Sequence, residues 1–562
     1  MARGHDTISR VYLFFFRTVK SLLPALLGVG FFLLMGAASL AALLRYSDIS
    51  GWVDYFYEPY LWRVVRFSLW QALLSSVISL LIAIPVASCL IHRQFRGRAI
   101  LLQFFAVSMV VPTIVAILGL VVVYGRSGWL SQIFGVQIPL YGLVGILLAH
   151  VFFNMPLAVR LLLQGYGLIP SGQWRQASQL GFSRWTAFRL IEWHYMKKVL
   201  PGAFVLIFML CFSSFAVVLS LGGGPKSSTL EVAIYQALRF DFDLNKASFL
   251  SLLQVSICTL FAVIVYRITP VNRQDASLLS IQSYPVRDSI WSRAADGAAL
   301  LSVFILIVPP FLAIFDPIFS ATFLTTLLSS GLWLAVFTSL KIAFPAAVIS
   351  LLLGVCFGVL ARFCMARQYL SFLPNKLEHL GNMILLVPGL VIATGLFLWL
   401  RDLGWGFQSS YWIVVWVNAV MALPFVLRAL MPILYQQERR YRNLYVSLGV
   451  RSWSRWRLEW PLIRASVAQA FGYALLLSLG DMGVIALFGS QGLVSLPLYL
   501  FQLIGSYRLE EGASVAVVLI SLCLILFYGA SRFIGGKAVG GKLIGGKIVT
   551  RKMAGGKPRA KH

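Results

Sequence analysis

Charged residues are scarce in this sequence. Only 12% of the 562 residues are Asp, Glu, Lys or Arg, and 19 are acidic, whereas 59% are hydrophobic and the mean hydropathy is +0.84. So little polar surface cannot cover a soluble globule of this size, which excludes a soluble fold. The composition therefore indicates an integral membrane protein.

Cysteine and histidine are few and unclustered. No CxxC pair and no His-rich spacing occurs, so the sequence predicts neither a disulfide framework nor a metal site. We expect the cysteines to be small buried hydrophobes in or beside apolar segments; they are Cys89, Cys211, Cys258, Cys356, Cys364 and Cys523.

A complete ATP-binding motif is also missing. Gly536–Lys542 and Gly541–Lys547 have the GxxxxGK spacing, but Leu543 and Ile548 occupy the Ser/Thr position that would hold magnesium, and neither segment follows a strand. We therefore expect no cofactor in this chain and no catalytic residue. If the protein takes part in ATP-driven transport, ATP and magnesium would therefore have to be bound by a separate ATPase subunit.

The net charge of +28 raises the alternative of a nucleic-acid partner. However, the basic residues lie mostly in short segments between apolar runs, where they set the orientation of membrane helices. Nucleic-acid binding is therefore not expected. Their distribution predicts that both termini are cytoplasmic.

Apolar runs predict twelve membrane helices, since a bilayer core needs about 20 residues per helix. The first run, Leu22–Leu44, is too long for a signal-peptide core and lacks a clear cleavage signal, so we expect an uncleaved helix. Prolines 112, 156, 388 and 424 should kink helices rather than end them. The twelve spans are 22–44, 67–91, 99–124, 141–164, 201–222, 248–268, 296–316, 331–358, 381–400, 411–433, 465–489 and 513–533.

The two halves of the chain repeat each other in order. The segments at Pro112 and Pro156 correspond to those at Pro388 and Pro424, so the repeats are parallel and a pathway is expected between them. We predict an all-α membrane protein with a first half (1–268), a cytosolic linker (269–295), a second half (296–533) and a basic Gly/Lys tail (534–562). The tail should be disordered and attracted to anionic lipid.

One repeated segment is polar. The core of this segment is Ser-Gln-Leu-Gly in Ala177–Trp185 and Ser-Leu-Gly in Val446–Trp453. Each segment leads to a Glu-Trp pair. These loops, near 171–200 and 437–463, resemble the EAA loops of bacterial ABC importer permeases. The alternative is two ordinary amphipathic cytosolic loops. The resemblance implies docking of a homodimeric ABC ATPase on residues Arg175, Gln176, Ala177, Gly181, Asn443, Leu444, Tyr445 and Gly449.

A closer resemblance lies in and after the fifth span of each half. Residues 206–225, 229–238, 478–489 and 496–502 look very similar to the permeases of bacterial thiamine ABC transporters, and the likeness extends over about 60–530. It implies a type I importer permease in the inner membrane for thiamine and its phosphate esters, with a periplasmic binding protein and a separate ATPase as partners.

Two other transporters remain as alternatives. A ferric-iron ABC permease has the same fused architecture with two such loops. An ion-coupled secondary transporter should carry carboxylates in several spans, and here Asp481 is nearly alone. A membrane enzyme would need clustered His, Asp or Glu, which the sequence lacks.

Asp481 is the candidate pathway residue. Aligning the repeats places Gly480 and Asp481 opposite Ser213 and Ser214. An anion in a low-dielectric passage would favour the thiazolium charge of thiamine. The structural alternative is that Asp481 caps a broken helix or pairs with Lys341.

Overall fold

The protein is described here from a computed structural model that covers residues 2–47, 49–107, 111–268, 288–367, 370, 373–405, 409–450, 452–489 and 493–535. These residues form helices and connecting segments, without strands. Eleven helical segments among them are long and apolar enough to cross a membrane. The prediction of an all-α, multi-pass membrane protein is confirmed.

Thirteen helices make up the described part of the first half. A π-helical turn, Phe188–Glu192, joins the ninth to the tenth. The helices are α1 (Ala2–Tyr46), α2 (Ile49–Tyr57), α3 (Pro59–His92), α4 (Arg98–Val107), α5 (Thr113–Tyr124), α6 (Trp129–Phe134), α7 (Leu143–Tyr166), α8 (Ser171–Gln179), α9 (Arg184–Ala187), α10 (Trp193–Phe212), α11 (Phe215–Leu221), α12 (Leu230–Arg239) and α13 (Leu244–Ile268).

Ten helices make up the described part of the second half. They are α14 (Ile290–Phe315), α15 (Ala321–Leu327), α16 (Ser330–Met365), α17 (Leu373–Asn382), α18 (Gly389–Asp402), α19 (Ser410–Ser447), α20 (Ser452–Gly480), α21 (Gly483–Phe488), α22 (Leu496–Gly505) and α23 (Leu509–Phe533). We call the end of the bundle where α3 and α16 finish the loop end, and the opposite end the far end.

Two expected spans, 99–124 and 381–400, are divided at a proline. Pro112 and Pro388 do not kink helices: each precedes the first residue of a helix, α5 or α18, because proline fixes an extended start that a helix can follow. The α-helix that begins within the ninth expected span, 381–400, is consequently the 14-residue α18, which is about 21 Å long and shorter than a bilayer core. Pro156 and Pro424 lie inside α7 and α19, as expected.

Most of the predicted linker and tail, residues 269–287 and 536–562, lies outside the described residues. The second half begins earlier than its first apolar run suggested, since α14 starts at Ile290 and carries Asp296 within it. The division into two halves, linker and tail remains a prediction at the level of domains.

The first helix of each half packs against the other half. Helix α1 contacts α16 and α18, and helix α14 contacts α3 and α5. Ser39 of α1 donates a hydrogen bond to the Ile392 carbonyl of α18 at 3.1 Å. In the other exchanged pair, the Tyr124 hydroxyl of α5 donates to the Ile305 carbonyl of α14 at 2.5 Å. The two halves are therefore held together by exchanged helices.

Two equivalent glycines allow this exchange. A Cβ at Gly395 would lie 2.4 Å from the Ser39 carbonyl oxygen, and a Cβ at Gly119 would lie 2.4 Å from the Pro310 carbonyl oxygen. Both contacts are with backbone of the exchanged helix, which cannot move aside as a side chain could. The exchanged helices therefore approach α18 and α5 at distances that only glycine permits.

We predict that Gly395→Ala and Gly119→Ala each destabilise the protein by about 1–3 kcal/mol, because the added methyl forces the two helices apart. Thermal unfolding of the detergent-solubilised protein measures this. Gly30→Ala is the matched control, since nothing lies within 4 Å of a Cβ at this helical position. Equal unfolding temperatures for all three variants would contradict the close-packing account.

Candidate functional site

The two loops that were matched by sequence have the same turn. Gly181 and Gly449 both have φ +65°, a conformation that glycine adopts without steric cost. The Phe182 N–H donates to the Ala177 carbonyl at 3.0 Å, and the Val450 N–H donates to the Tyr445 carbonyl at 2.9 Å. Each glycine thus ends a helix in a left-handed turn that directs the chain away from it.

The turns lie at the loop end and expose apolar side chains. Leu180 is 71% exposed and the equivalent Leu448 is 66% exposed. Each stands directly before its glycine. Two exposed leucines at equivalent positions form a surface that a second protein can cover.

In the resemblance to EAA loops, the Glu-Ala-Ala positions are taken by Arg175-Gln176-Ala177 in the first loop and Asn443-Leu444-Tyr445 in the second. Some of these residues lie on the exposed surface and others in the interior. Ala177 and Tyr445, which occupy the third position, are buried. The first and second positions are exposed to solvent; they are Arg175, Gln176, Asn443 and Leu444. The structure thus places all eight predicted loop residues at two equivalent helix ends: three in the last turns of α8 or α19 and the glycine in the turn that follows, with the buried residue of each set anchoring the loop.

A buried glutamate lies behind the first loop. Glu192 is fully buried and accepts hydrogen bonds from the Tyr166 hydroxyl at 2.7 Å and the Ser88 hydroxyl at 3.0 Å. His92 Nε2, at the end of α3, lies 2.7 Å from its other oxygen. Trp174 of the loop packs edge-on against the His92 ring. The loop is therefore joined to α3 and α7 through one carboxylate.

The second loop has an equivalent but ionic arrangement. Arg362, near the end of α16, binds both oxygens of the buried Glu459, at 2.8 and 2.6 Å, and donates to Glu438 at 3.0 Å. Arg455 also binds both glutamates and lies over the Tyr445 ring. Removing one partner of such a buried network costs about 3–5 kcal/mol, because a charge is left uncompensated. The network therefore fixes the loop relative to α16, α19 and α20.

The start of α14 is attached to the first loop. Asp296 binds Arg93 at 2.7 Å and Arg184 at 3.3 Å, and Asp288 binds Arg93 at 2.6 Å. The hydrogen-bonded Arg93 guanidinium holds the pKa of Asp288 well below its usual range. This contact is fully stabilising above the carboxyl pKa of the unfolded chain and is lost as the pH falls through the lowered value. An exchanged helix of the second half thus contacts the loop of the first.

Sequence reasoning identified the Glu-Trp pairs only as a repeated feature and did not assign a role to their glutamates. It also overlooked Arg362, Glu438 and Arg184. The available signal was the spacing: Glu192 and Glu459 are almost equally far beyond Gly181 and Gly449 in apolar surroundings. A carboxylate in such a place requires partners, and these come from distant helices.

The other candidate residues lie where the fifth helix of each half is interrupted. Ser213 and Ser214 separate α10 from α11, and Asp481 with Met482 separates α20 from α21. Asp481 Oδ1 accepts a hydrogen bond from the Gly483 N–H at 3.3 Å, so the expected capping of a broken helix is present. Its second oxygen, Oδ2, is buried without a hydrogen-bond partner.

The two halves meet at these breaks. A Cβ at Gly480 would lie 3.3 Å from Pro112 of the first half, and a Cβ at Gly483 would lie 3.6 Å from Phe215, which follows Ser214. Lys341 does not pair with Asp481 in the described structure. The Lys341 ammonium instead lies 5.3 Å from the centroid of the Tyr411 ring, at the start of α19.

A cavity of about 340 Å³ lies between the halves at the far end. Its volume falls in the range of small-molecule sites. Beside it, the Arg239 guanidinium of the first half donates to the Gly489 carbonyl of the second at 2.7 Å. The lining residues are Leu238, Phe242 and Leu244 from the first half and Phe397, Arg401, Leu487 and Phe488 from the second.

Two equivalent loops, paired helix breaks and a cavity between two repeats define a two-half membrane translocation unit. The family model described as "Binding-protein-dependent transport system inner membrane component" matches residues 77–273 and 354–534, one segment in each half. The chain belongs to this family and is a multi-pass inner-membrane transport protein. The matches begin within α3 and α16, so the exchanged helices α1 and α14 lie outside them.

Relatives of the whole chain are more specific. The chain is 40% identical over 512 residues to the thiamine transport system permease protein ThiP of Salmonella typhimurium, covering 90% of this chain and 95% of the relative. It is 42% identical over 509 residues to ThiP of Escherichia coli, covering 89% and 95%. Identity to ThiP of Haemophilus influenzae is 38% over 513 residues, covering 89% and 94%.

Proposed function

We propose that this chain is the permease subunit of a type I ABC importer that carries thiamine, and with it thiamine phosphate esters, across the bacterial inner membrane. The observation that carries the proposal is the 40% and 42% identity to thiamine transport system permease proteins over about nine-tenths of the chain. The relatives do not favour ferric iron as the substrate. Membership of a binding-protein-dependent family argues against an ion-coupled secondary transporter.

The direct test is transport. Proteoliposomes that contain this chain with its ATPase and binding protein should accumulate labelled thiamine only when ATP is supplied. Labelled ferric iron serves as the competing substrate in the same preparation. Iron uptake without thiamine uptake would transfer the assignment to the ferric-iron alternative, and thiamine uptake driven by an ion gradient without ATP would contradict the ABC mechanism.

The energy source is proposed to be a separate, homodimeric ATPase that binds ATP and magnesium. Two turns with the same hydrogen bonds and the same φ offer equivalent surfaces, one on each half, as a symmetric partner requires. The exposed Leu180 and Leu448 fit such a contact. The lack of a complete ATP-binding motif in this chain supports a partner that hydrolyses ATP.

In the proposed orientation the loop end and both termini are cytoplasmic, because basic residues concentrate there. The far end then faces the periplasm and receives thiamine from the binding protein. Closure of the ATPase dimer would bring the two loops together and open the far end, as in alternating access by rigid-body rocking. The Arg239 contact to Gly489 joins the halves at the far end, so it must break when that end opens.

We predict that Gly181→Val and Gly449→Val each reduce co-purification of the ATPase or uncouple ATP hydrolysis from uptake. A β-branched residue at φ +65° is strained by about 1–2 kcal/mol and should distort the docking turn. Gly135→Val is the matched control, since Gly135 has φ +67° and an open surrounding at the far end. Normal assembly and coupling in both loop variants would argue against docking at these turns.

Asp481, opposite Ser213 and Ser214 in the repeat, is proposed to act electrostatically in the pathway. The buried, unpartnered Oδ2 supports this, because capping of α21 uses only the other oxygen. Asn in place of Asp keeps the capping oxygen and removes the charge.

Asp481→Asn should therefore assemble normally with the ATPase and show reduced thiamine uptake. Asp241→Asn, at an exposed far-end position, controls for the loss of one acidic residue. Poor assembly of Asp481→Asn would assign the residue a purely structural role. Normal assembly together with normal uptake would show that its charge is not needed.

A further inference from the structure

Glu231, at the start of α12, is a second buried acid between the halves. The residue is 3% exposed. One carboxyl oxygen receives a hydrogen bond from the Gln254 amide of α13 at 3.3 Å, and the other, Oε2, has no partner. The Gln254 side-chain oxygen is also buried without a donor. Two side-chain oxygens at this place, one from each residue, are therefore buried without a donor.

The acid is present in only one of two otherwise matched places. The N-terminus of α12 is fixed by a hydrogen bond from the Leu230 N–H to the Ser68 hydroxyl at 3.0 Å. The N-terminus of α22 is fixed identically, from the Leu496 N–H to the Ser339 hydroxyl at 2.8 Å. The residue that follows is Glu231 in the first half and a proline in the second. Building this helix start therefore does not require a carboxylate.

The hydrogen-bond partner of Glu231, Gln254, is likewise present in the first half alone. Ser248 and Ser514 occupy equivalent places in α13 and α23, so Gln254 corresponds to Ile520. Apolar residues thus fill the second half where the first half has Glu231 and Gln254. Because burying unsatisfied polar groups costs stability, their presence in one half alone points to a function other than folding.

Glu231 lies close to Asp481 across the contact between the halves. The Tyr235 ring, one turn beyond Glu231 on α12, lies 5.3 Å from the Phe215 ring of α11 between centroids, and a Cβ at Gly483, two residues beyond Asp481, would lie 3.6 Å from Phe215. Helix α12, which begins at Leu230, also contacts α21, which begins two residues beyond Asp481. Each also has one buried oxygen without a hydrogen-bond donor. One acid from each half is thus brought to the same interface.

Neither acid has a cationic partner in the described part of the chain, where the ion pairs involve other residues. Two neighbouring buried carboxyl groups repel each other when ionised, and a cation between them removes that repulsion. The arrangement therefore favours a positively charged ligand that is itself apolar enough to enter a dry interface.

The far-end cavity lies along the same two helices as the acids. Leu238 of α12 and Phe488 of α21 line the cavity. Leu238 lies seven residues beyond Glu231, and Phe488 lies seven residues beyond Asp481. Seven helical residues span about 10 Å. A ligand with an aromatic ring that enters among the cavity phenylalanines would thus meet the two acids about two turns deeper.

We propose that Glu231 and Asp481, one from each half, form a binding site in the translocation pathway for the charged ring of an organic cation. This inference rests on the proposed function, in which the cation is the thiazolium ring of thiamine. Glu231 is assigned as a specificity-determining residue, with the Gln254 amide holding one of its oxygens.

The test compares two substrates that differ only in charge. Uptake of thiamine and of its neutral isostere, with carbon in place of the thiazolium nitrogen, is measured in proteoliposomes with ATPase and binding protein. In Glu231→Gln the thiamine-to-isostere uptake ratio should fall about tenfold relative to the unsubstituted protein. Glu231→Asp, which keeps the charge, should preserve most of the ratio. The binding protein is the same throughout, so its own preference cancels.

Glu511→Gln is the matched control, because Glu511 lies at the far end in an exposed ion pair with Arg508. Its uptake ratio should not change. An unchanged ratio in Glu231→Gln would overturn the inference, as would failure of this variant to assemble, which would assign Glu231 to folding. If the unsubstituted protein imports neither compound, the proposed function fails instead, so the two failures are distinguishable.

Discussion

Buried carboxylates at the loop end hold the rest of the structure in a functional arrangement. Glu192 joins the first loop to α3 and α7, and Glu459 joins the second to α16. Both acids are fully buried, so each must be satisfied by partners from the helices that it connects. A displacement of either loop is therefore transmitted to membrane helices, since the alternative is an unpaired charge in the interior.

The exchanged helices extend this coupling to the whole molecule. Helix α1 is in backbone contact with α18 at Gly395, and α14 is in backbone contact with α5 at Gly119. Helix α14 also reaches the first loop through Asp296 and Arg184. Each half consequently moves with one helix of the other. The breaks at Ser214 and Asp481 lie where the halves meet, so relative motion of the halves changes the surroundings of both.

The features predictable from sequence were local or repeated ones. The apolar runs predicted nearly all the membrane helices, and the glycines at 181 and 449 indicated equivalent turns, because hydropathy and backbone conformation are encoded within a few residues. The starts of α5 and α18 at Pro112 and Pro388 were missed, since apolar composition does not distinguish one helix from two short segments. Partners of buried charges, such as Arg362 for Glu459, could not be assigned, because they come from distant parts of the chain. Glu231 was overlooked for the same reason: its significance depends on Gln254 and on Asp481 in the other half.

We propose that the loops and the membrane helices move as rigid units, so that approach of the loops opens the far end. Two pairs of spin labels in a cysteine-free background measure this directly: Arg189 with Arg457, just before the two buried glutamates, and Phe242 with Tyr507 at the far end. With ATPase and binding protein present, trapping ATP should shorten the first distance and lengthen the second. A shortened loop-end distance with an unchanged far-end distance would contradict the account.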